Sequence, residues 1–217
     1  MIDSVVFDMD GVLFDTERVC NDVWLQVGEE MKIKDMSIAI TKCVGLNTVD
    51  TRQFFLKQFG ADFPYEKFKE RSSVLFKERI ETEGLLIKPG VFEVLNFLQE
   101  NDYKIALATS TNKASVINYL NKAELAHYFQ AIVTGDMVEH GKPNPEIYQK
   151  ACMELGSKPE FSIAIEDSPN GLKAAYHAGL KPIMVPDLIQ PDEELKKLIY
   201  GKFDSLFEVK DYLQNLK

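Results

Sequence analysis

Four short blocks hold the residues of this chain whose types and spacing could do chemistry. They are Asp8-Met9-Asp10-Gly11-Val12, Ala108-Thr109-Ser110-Thr111, Gly141-Lys142-Pro143-Asn144-Pro145 and Glu166-Asp167-Ser168-Pro169-Asn170-Gly171. Between them they offer carboxylates, hydroxyls and one lysine, the set that phosphoryl transfer uses. Phosphate monoesters hydrolyse so slowly unaided that enzymes accelerate them by up to about 10²¹-fold. Such a site must combine a nucleophile, charge neutralisation and protonation of the leaving group.

Asp8 is suited to attack phosphorus and form an aspartyl-phosphate, which splits the reaction into two displacements. Asp10 lies two residues on, and i and i+2 project to one side of an extended chain, so it is placed to serve as acid and base at the leaving oxygen. Gly11 permits the sharp exit that follows. A carboxylate nucleophile and a phosphate dianion repel each other unless a cation intervenes, and oxygen-rich ligation selects Mg²⁺. The expected ligands are Asp8 and Asp167 through their carboxylates, Asp10 through its main-chain carbonyl, and Glu166 directly or through water. Lys142 is the expected point charge on the phosphoryl oxygens and on Asp8. Thr109 is expected to place a hydroxyl on the same oxygens, with Ser110 as its competitor. Taken singly, each block has an ordinary reading as a strand end, a turn, a surface lysine or a helix cap. Their joint order, and the place of each after an apolar run or at a turn, is what makes them a site.

The elements that must position these residues can be read around them. Val5-Val6-Phe7 precedes the first block and Ile163-Ala164-Ile165 precedes the last. Ile105–Ala108, Ala131–Val133 and Ile183–Val185 are further short apolar runs. Helical patterns alternate with them, opened by Pro89-Gly90, Pro145 and Pro169 and closed by Gly156 and Gly179. This rhythm predicts an α/β fold, a Rossmann-like parallel sheet between layers of helices, with the carboxylates at strand carboxyl ends. Residues 17–83 break the rhythm with helical stretches only. They read as an all-helical cap inserted after the first strand and suited to act as a lid, leaving 1–16 and 84–217 as the core.

Bulk properties narrow the partners. The 217 residues carry 25 Lys and Arg against 34 Asp and Glu, a net charge of −9. With no basic stripe to offset it, nucleic acid is not an expected partner. Cys20, Cys43 and Cys152 show neither CxxC nor Cys/His spacing, which fits a reduced, cytoplasmic setting. Nowhere do 18 consecutive apolar residues occur, so no membrane partner is expected either. The chain is read as a monomer acting on a small phosphorylated metabolite.

Taken together, DMDGVLFDTE, ATST, GKPNPEIY and EDSPNG resemble the four motifs of the haloacid dehalogenase-like hydrolase superfamily, over the whole chain. The helical insertion is similar to that of its β-phosphoglucomutase and phosphatase branch. The resemblance implies a Rossmann-like core with a small helical cap and a Mg²⁺-dependent enzyme. It implies Asp8 as nucleophile, Asp10 as acid and base, Thr109 and Lys142 on the phosphate, and Asp167 on the metal. Dehalogenases of the superfamily lack the second aspartate, so Asp10 points to an alkoxide leaving group. Mutases of the branch carry a histidine and an arginine where this chain has Cys20 and Thr48, which favours a phosphatase over a mutase. Thr16, Trp24 and Gly45 match the branch and join Thr48, Arg52 and Arg71 as candidate substrate contacts. His127, His140 and His177 share no ligand spacing, Phe54, Phe55 and Phe59 have the spacing of a helix packing face, and Asp187 reads as part of an ordinary loop.

Overall fold

The first strand, β1 (Ser4–Phe7), is buried along its whole length. An apolar run with no polar face has to be covered on both sides and flanked by other strands. The computed structural model of the chain describes residues 2–43 and 48–216, and it shows that arrangement. After β1 come α1 (Thr16–Glu30), α2 (Met36–Cys43), α3 (Thr48–Phe59), α4 (Tyr65–Glu83) and α5 (Val91–Glu100). Then follow β2 (Lys104–Ala108), α6 (Lys113–Lys122), β3 (Ala131–Val133), α7 (Glu146–Leu155), β4 (Ser162–Glu166) and α8 (Pro169–His177). The chain closes with β5 (Lys181–Met184), α9 (Glu193–Lys196), β6 (Gly201–Lys202) and α10 (Leu206–Gln214).

The six strands form one parallel sheet in the order β3-β2-β1-β4-β5-β6. The chain steps from β1 to β2 on one side and later to β4 on the other, so the strand order reverses at β1, where open α/β sheets bind ligands. Phe7 is in register with Leu107 and with Ile165. One residue further, Asp8 stands level with Ala108 and Glu166. The five apolar runs read from the sequence are β1 to β5; β6 is only two residues long and too short to carry a pattern.

Alternation along the strands puts Val6, Ala106, Ala108 and Ala164 in one cluster with Ile147, Tyr148, Ala151 and Leu155 of α7. The small strand side chains let α7 pack close, and this brings a tyrosine toward the sheet's carboxyl end. Local sequence fixes the helix ends. Ser168 accepts from the Gly171 amide at 3.1 Å and caps α8 ahead of Pro169, and Gly156 ends α7 in the left-handed conformation. Asp187 does more than fill a loop, because its Oδ1 lies 2.7 Å from Lys88 Nζ and ties the end of β5 to the segment before α5.

The chain divides into two compact units, Met1–Phe14 with Ile87–Lys217, and Asp15–Leu86. The second unit holds α1 to α4. Its core is aromatic: Phe55 is fully buried and its ring meets those of Trp24, Phe54, Phe59, Phe63, Tyr65 and Phe68. Among the described residues no helix is long and apolar enough to cross a membrane.

Candidate active site

The backbone of β1 carries Asp8 into place: its amide donates to the Ile165 carbonyl at 2.9 Å, extending the ladder one residue past the strand. Asp8, Glu166 and Asp167 are all buried, and one oxygen from each lies within 4.8 Å of the others. Lys142 is buried with them. Its Nζ donates to Asp8 Oδ1 at 2.7 Å, to Glu166 Oε1 at 2.6 Å and to the Ala108 carbonyl at 3.0 Å. One ammonium, paired with Asp8 and Glu166, is thus the counter-charge in a cluster of three carboxylates.

The imbalance is visible in their ionisation. Burial pushes the Asp8 carboxyl up to about 8; Lys142 opposes this, while Glu166 and Asp10 add to it. For Lys142 burial works against the charge, yet Asp8 and Glu166 hold the ammonium above the ordinary lysine value. A desolvated, all-oxygen cluster that is short of positive charge suits a hard divalent cation.

Glu166 is held on both of its carboxylate oxygens. Its Oε1 accepts from Lys142 and from the Tyr148 hydroxyl at 2.7 Å. Its Oε2 accepts from the amides of Asp167 and Ser168, each at 3.2 Å, and from Ser168 Oγ at 3.0 Å. Five donors occupy a group with about four lone-pair sites. Glu166 is therefore saturated by donors of the protein, with Lys142 one of them. The approach is close enough that a Cβ at Gly171 would collide with the Glu166 carboxylate, and one at Gly11, where φ is +79°, would collide with Asp167.

Asp10 is held from the end of β2. Its Oδ2 accepts from Thr111 Oγ1 at 2.7 Å and from Thr109 Oγ1 at 3.3 Å. The Thr109 hydroxyl also accepts from the Thr111 amide at 3.1 Å, and Thr109 is fully buried. Ser110, between them, is exposed. The loop that delivers Lys142 is braced by Glu146, whose carboxylate accepts from the amides of Glu139 at 2.8 Å and His140 at 2.9 Å. His140 enters through its backbone, as a turn residue does.

Asp8, Asp10, Thr109, Lys142, Glu166 and Asp167 thus converge in one unit. Four residues in contact with them go beyond the candidates read from the sequence: Thr111, Tyr148, Ser168 and Gly171. All four lie inside the four blocks and their immediate continuation, which is the signal that points to them. The candidates in the helical unit are placed differently. Arg71 makes a two-point pair with Glu30, at 2.7 and 2.9 Å, and Arg52 pairs with Glu66 at 3.0 Å. Thr16 opens α1 with a buried hydroxyl that has no hydrogen-bond partner among the described residues. Thr48 opens α3 and is exposed. Trp24 is half-buried, edge-on to Phe55 and Phe68. Gly45 lies outside the described residues.

Known proteins resemble this chain over most of its length. A phosphorylated carbohydrates phosphatase of Thermotoga maritima is 34% identical over 182 residues, covering 84% of this chain and 84% of that protein. A β-phosphoglucomutase of Bacillus subtilis is 28% identical over 204 residues, covering 86% and 88%. The crystal structure of CbbY from Rhodobacter sphaeroides in complex with phosphate superposes with a TM-score of 0.78 at 26% identity, covering 96% of each chain. Residues 5–185 match the family described as haloacid dehalogenase-like hydrolases, and the chain belongs to that family.

Proposed function

We propose that this chain is a Mg²⁺-dependent phosphatase that hydrolyses a small phosphorylated metabolite, with sugar phosphates among the candidates, through a phosphorylated Asp8. The observation that carries this reading is the buried Lys142 ammonium 2.7 Å from Asp8 and 2.6 Å from Glu166, inside a three-carboxylate cluster. The phosphatase names of relatives such as that of Thermotoga maritima support it.

Mg²⁺ held by Asp8, Asp167 and the Asp10 carbonyl, with Glu166 beside them, would offset the repulsion between a carboxylate and a phosphate dianion. The chain's own residues do the rest. A carboxylate oxygen of Asp8 attacks phosphorus as the bond from phosphorus to the ester oxygen breaks. Asp10 gives its proton to that oxygen, so the leaving group departs as a neutral alcohol. Asp10, now ionised, takes a proton from water as the water attacks the phosphoryl group. The bond from phosphorus to Asp8 breaks, returning the free carboxylate and inorganic phosphate. Lys142 lies on Asp8 throughout, with Glu166 fixing its direction. Thr109 and Thr111 aim the Asp10 carboxyl.

A phosphate-release screen over small phosphate esters, with and without Mg²⁺, tests the reading. Turnover that needs Mg²⁺ and vanishes in Asp8→Asn is expected; release of phosphate by that variant at a comparable rate refutes the assignment. The second reading, a sugar-phosphate mutase, is favoured by the β-phosphoglucomutase relative. It requires a bisphosphate activator and isomerised sugar phosphate in place of free phosphate, which the same assays separate.

A further inference from the structure

The helical unit contains a pocket of its own. It lies between α1 and α4, has a volume of about 200 Å³, and is walled mainly by Val23, Trp24, Tyr65, Phe68 and Phe76. Trp24 is preset there, its indole edge-on to Phe68 with ring centroids 5.5 Å apart. Ser72 also lines the pocket, is 6% exposed, and has a hydroxyl with no hydrogen-bond partner among the described residues. Lys69 is the one charged residue among those lining it, and it is exposed.

We propose that this pocket is a binding site for a planar single-ring ligand that bears one hydrogen-bonding substituent. Size sets the first part: an apolar cavity of about 150 Å³ holds benzene, so this one has room for one substituted ring. The wall sets the second. Aromatic and branched side chains offer faces for stacking, whereas a polyol would bring several hydroxyls against hydrocarbon with few partners. Ser72 sets the third, because an unmet buried hydroxyl is destabilising and is relieved by a donor or acceptor on the ring. The ring could belong to the phosphate ester or to a separate ligand; the chemistry is the same.

Trp24 is the only tryptophan in the sequence, so its emission reports this pocket directly. Phenol, benzoate and sorbitol are titrated into the whole chain, with no turnover required. Saturable quenching by the two ring compounds and none by sorbitol is expected. Ser72→Ala keeps the space and removes the hydroxyl. It should weaken binding about fivefold to tenfold, the worth of one hydrogen bond, with an unchanged or raised melting temperature. Ser72→Leu fills the space and should abolish quenching while the melting curve remains cooperative. Absence of saturable quenching by either ring compound, equal quenching by sorbitol, or unchanged quenching in Ser72→Leu overturns the proposal. Competition by phenol or benzoate against turnover of a ring phosphate assigns the ring to the substrate, and saturable binding without competition assigns it to a separate ligand. Since occupancy is read without catalysis, its failure leaves the phosphatase reading standing.

Discussion

The Tyr148 hydroxyl donates to Oε1 of Glu166 at 2.7 Å, the same oxygen that Lys142 reaches at 2.6 Å. The Lys142 ammonium also lies over the Tyr148 ring, 5.1 Å from its centroid. Burial, with Glu166 and Asp8 nearby, keeps the phenol well above its ordinary pKa and therefore a donor. Tyr148→Phe keeps the ring and removes only the donor. We expect kcat to fall about threefold to tenfold with KM nearly unchanged, the signature of a misdirected lysine, and stability to fall by about 1 kcal/mol. Steady-state kinetics and denaturant melts check this; a rise in KM at constant kcat would place Tyr148 in substrate binding.

Thr111 holds Asp10 at 2.7 Å and should matter in proportion to the need for an acid. Thr111→Val is expected to lower kcat/KM about tenfold or more for an alkyl phosphate and far less for an activated aryl phosphate, whose leaving group departs without a proton. Thr111→Ser should restore most of the loss. Equal losses on both esters would separate Thr111 from the acid step.

Gly171 is fixed by space. Any Cβ there meets the Glu166 carboxylate, which is buried and held by five donors and so has nowhere to move. Gly171→Ala should cost about 1–3 kcal/mol and lower activity as well. A melting temperature equal to that of the native chain would show that Glu166 can shift.

The metal-free protein should have a pH dependence set partly by Asp8. The folded carboxyl titrates near 8 because of burial, against an ordinary value of 3.8. Between those values the folded state binds a proton that the unfolded state has released, so this group's contribution makes stability fall as pH rises. Denaturant midpoints at about pH 5 and about pH 8, in chelator, should therefore converge on or fall below those of Asp8→Asn at the higher pH. Mg²⁺ replaces the proton and should remove the difference. A midpoint gap that widens in favour of the native chain with rising pH, without metal, would contradict the sign.

Much of this was legible in the sequence because it depends on local pattern. Val5-Val6-Phe7 and Ile163-Ala164-Ile165 are apolar on both faces, as a buried parallel strand is, and each runs directly into carboxylates. Pro145, Pro169 and Gly156 marked helix ends through backbone chemistry alone. What stayed hidden depends on partners distant in the chain. Thr111 reaches Asp10 across 101 positions. Tyr148 shares the spacing of Ile147, Ala151 and Leu155, so it reads as core, and only its hydroxyl, aimed at β4, sets it apart. Gly171 looks like a residue in a cap and turns out to be the space that Glu166 fills. Arg52 and Arg71 looked open to an anion, but which glutamate each would pair with could not be read from composition.

The central claim is that Asp8 carries the phosphoryl group. The most direct measurement is to quench the enzyme in acid during turnover, reduce it with borohydride, which converts an acyl phosphate to an alcohol, and map the peptides by mass spectrometry. The account predicts homoserine in place of aspartate at position 8 and nowhere else. Reduction at another carboxylate, or an intact Asp8 peptide from enzyme that was turning over with its phosphoryl intermediate accumulated, would contradict it.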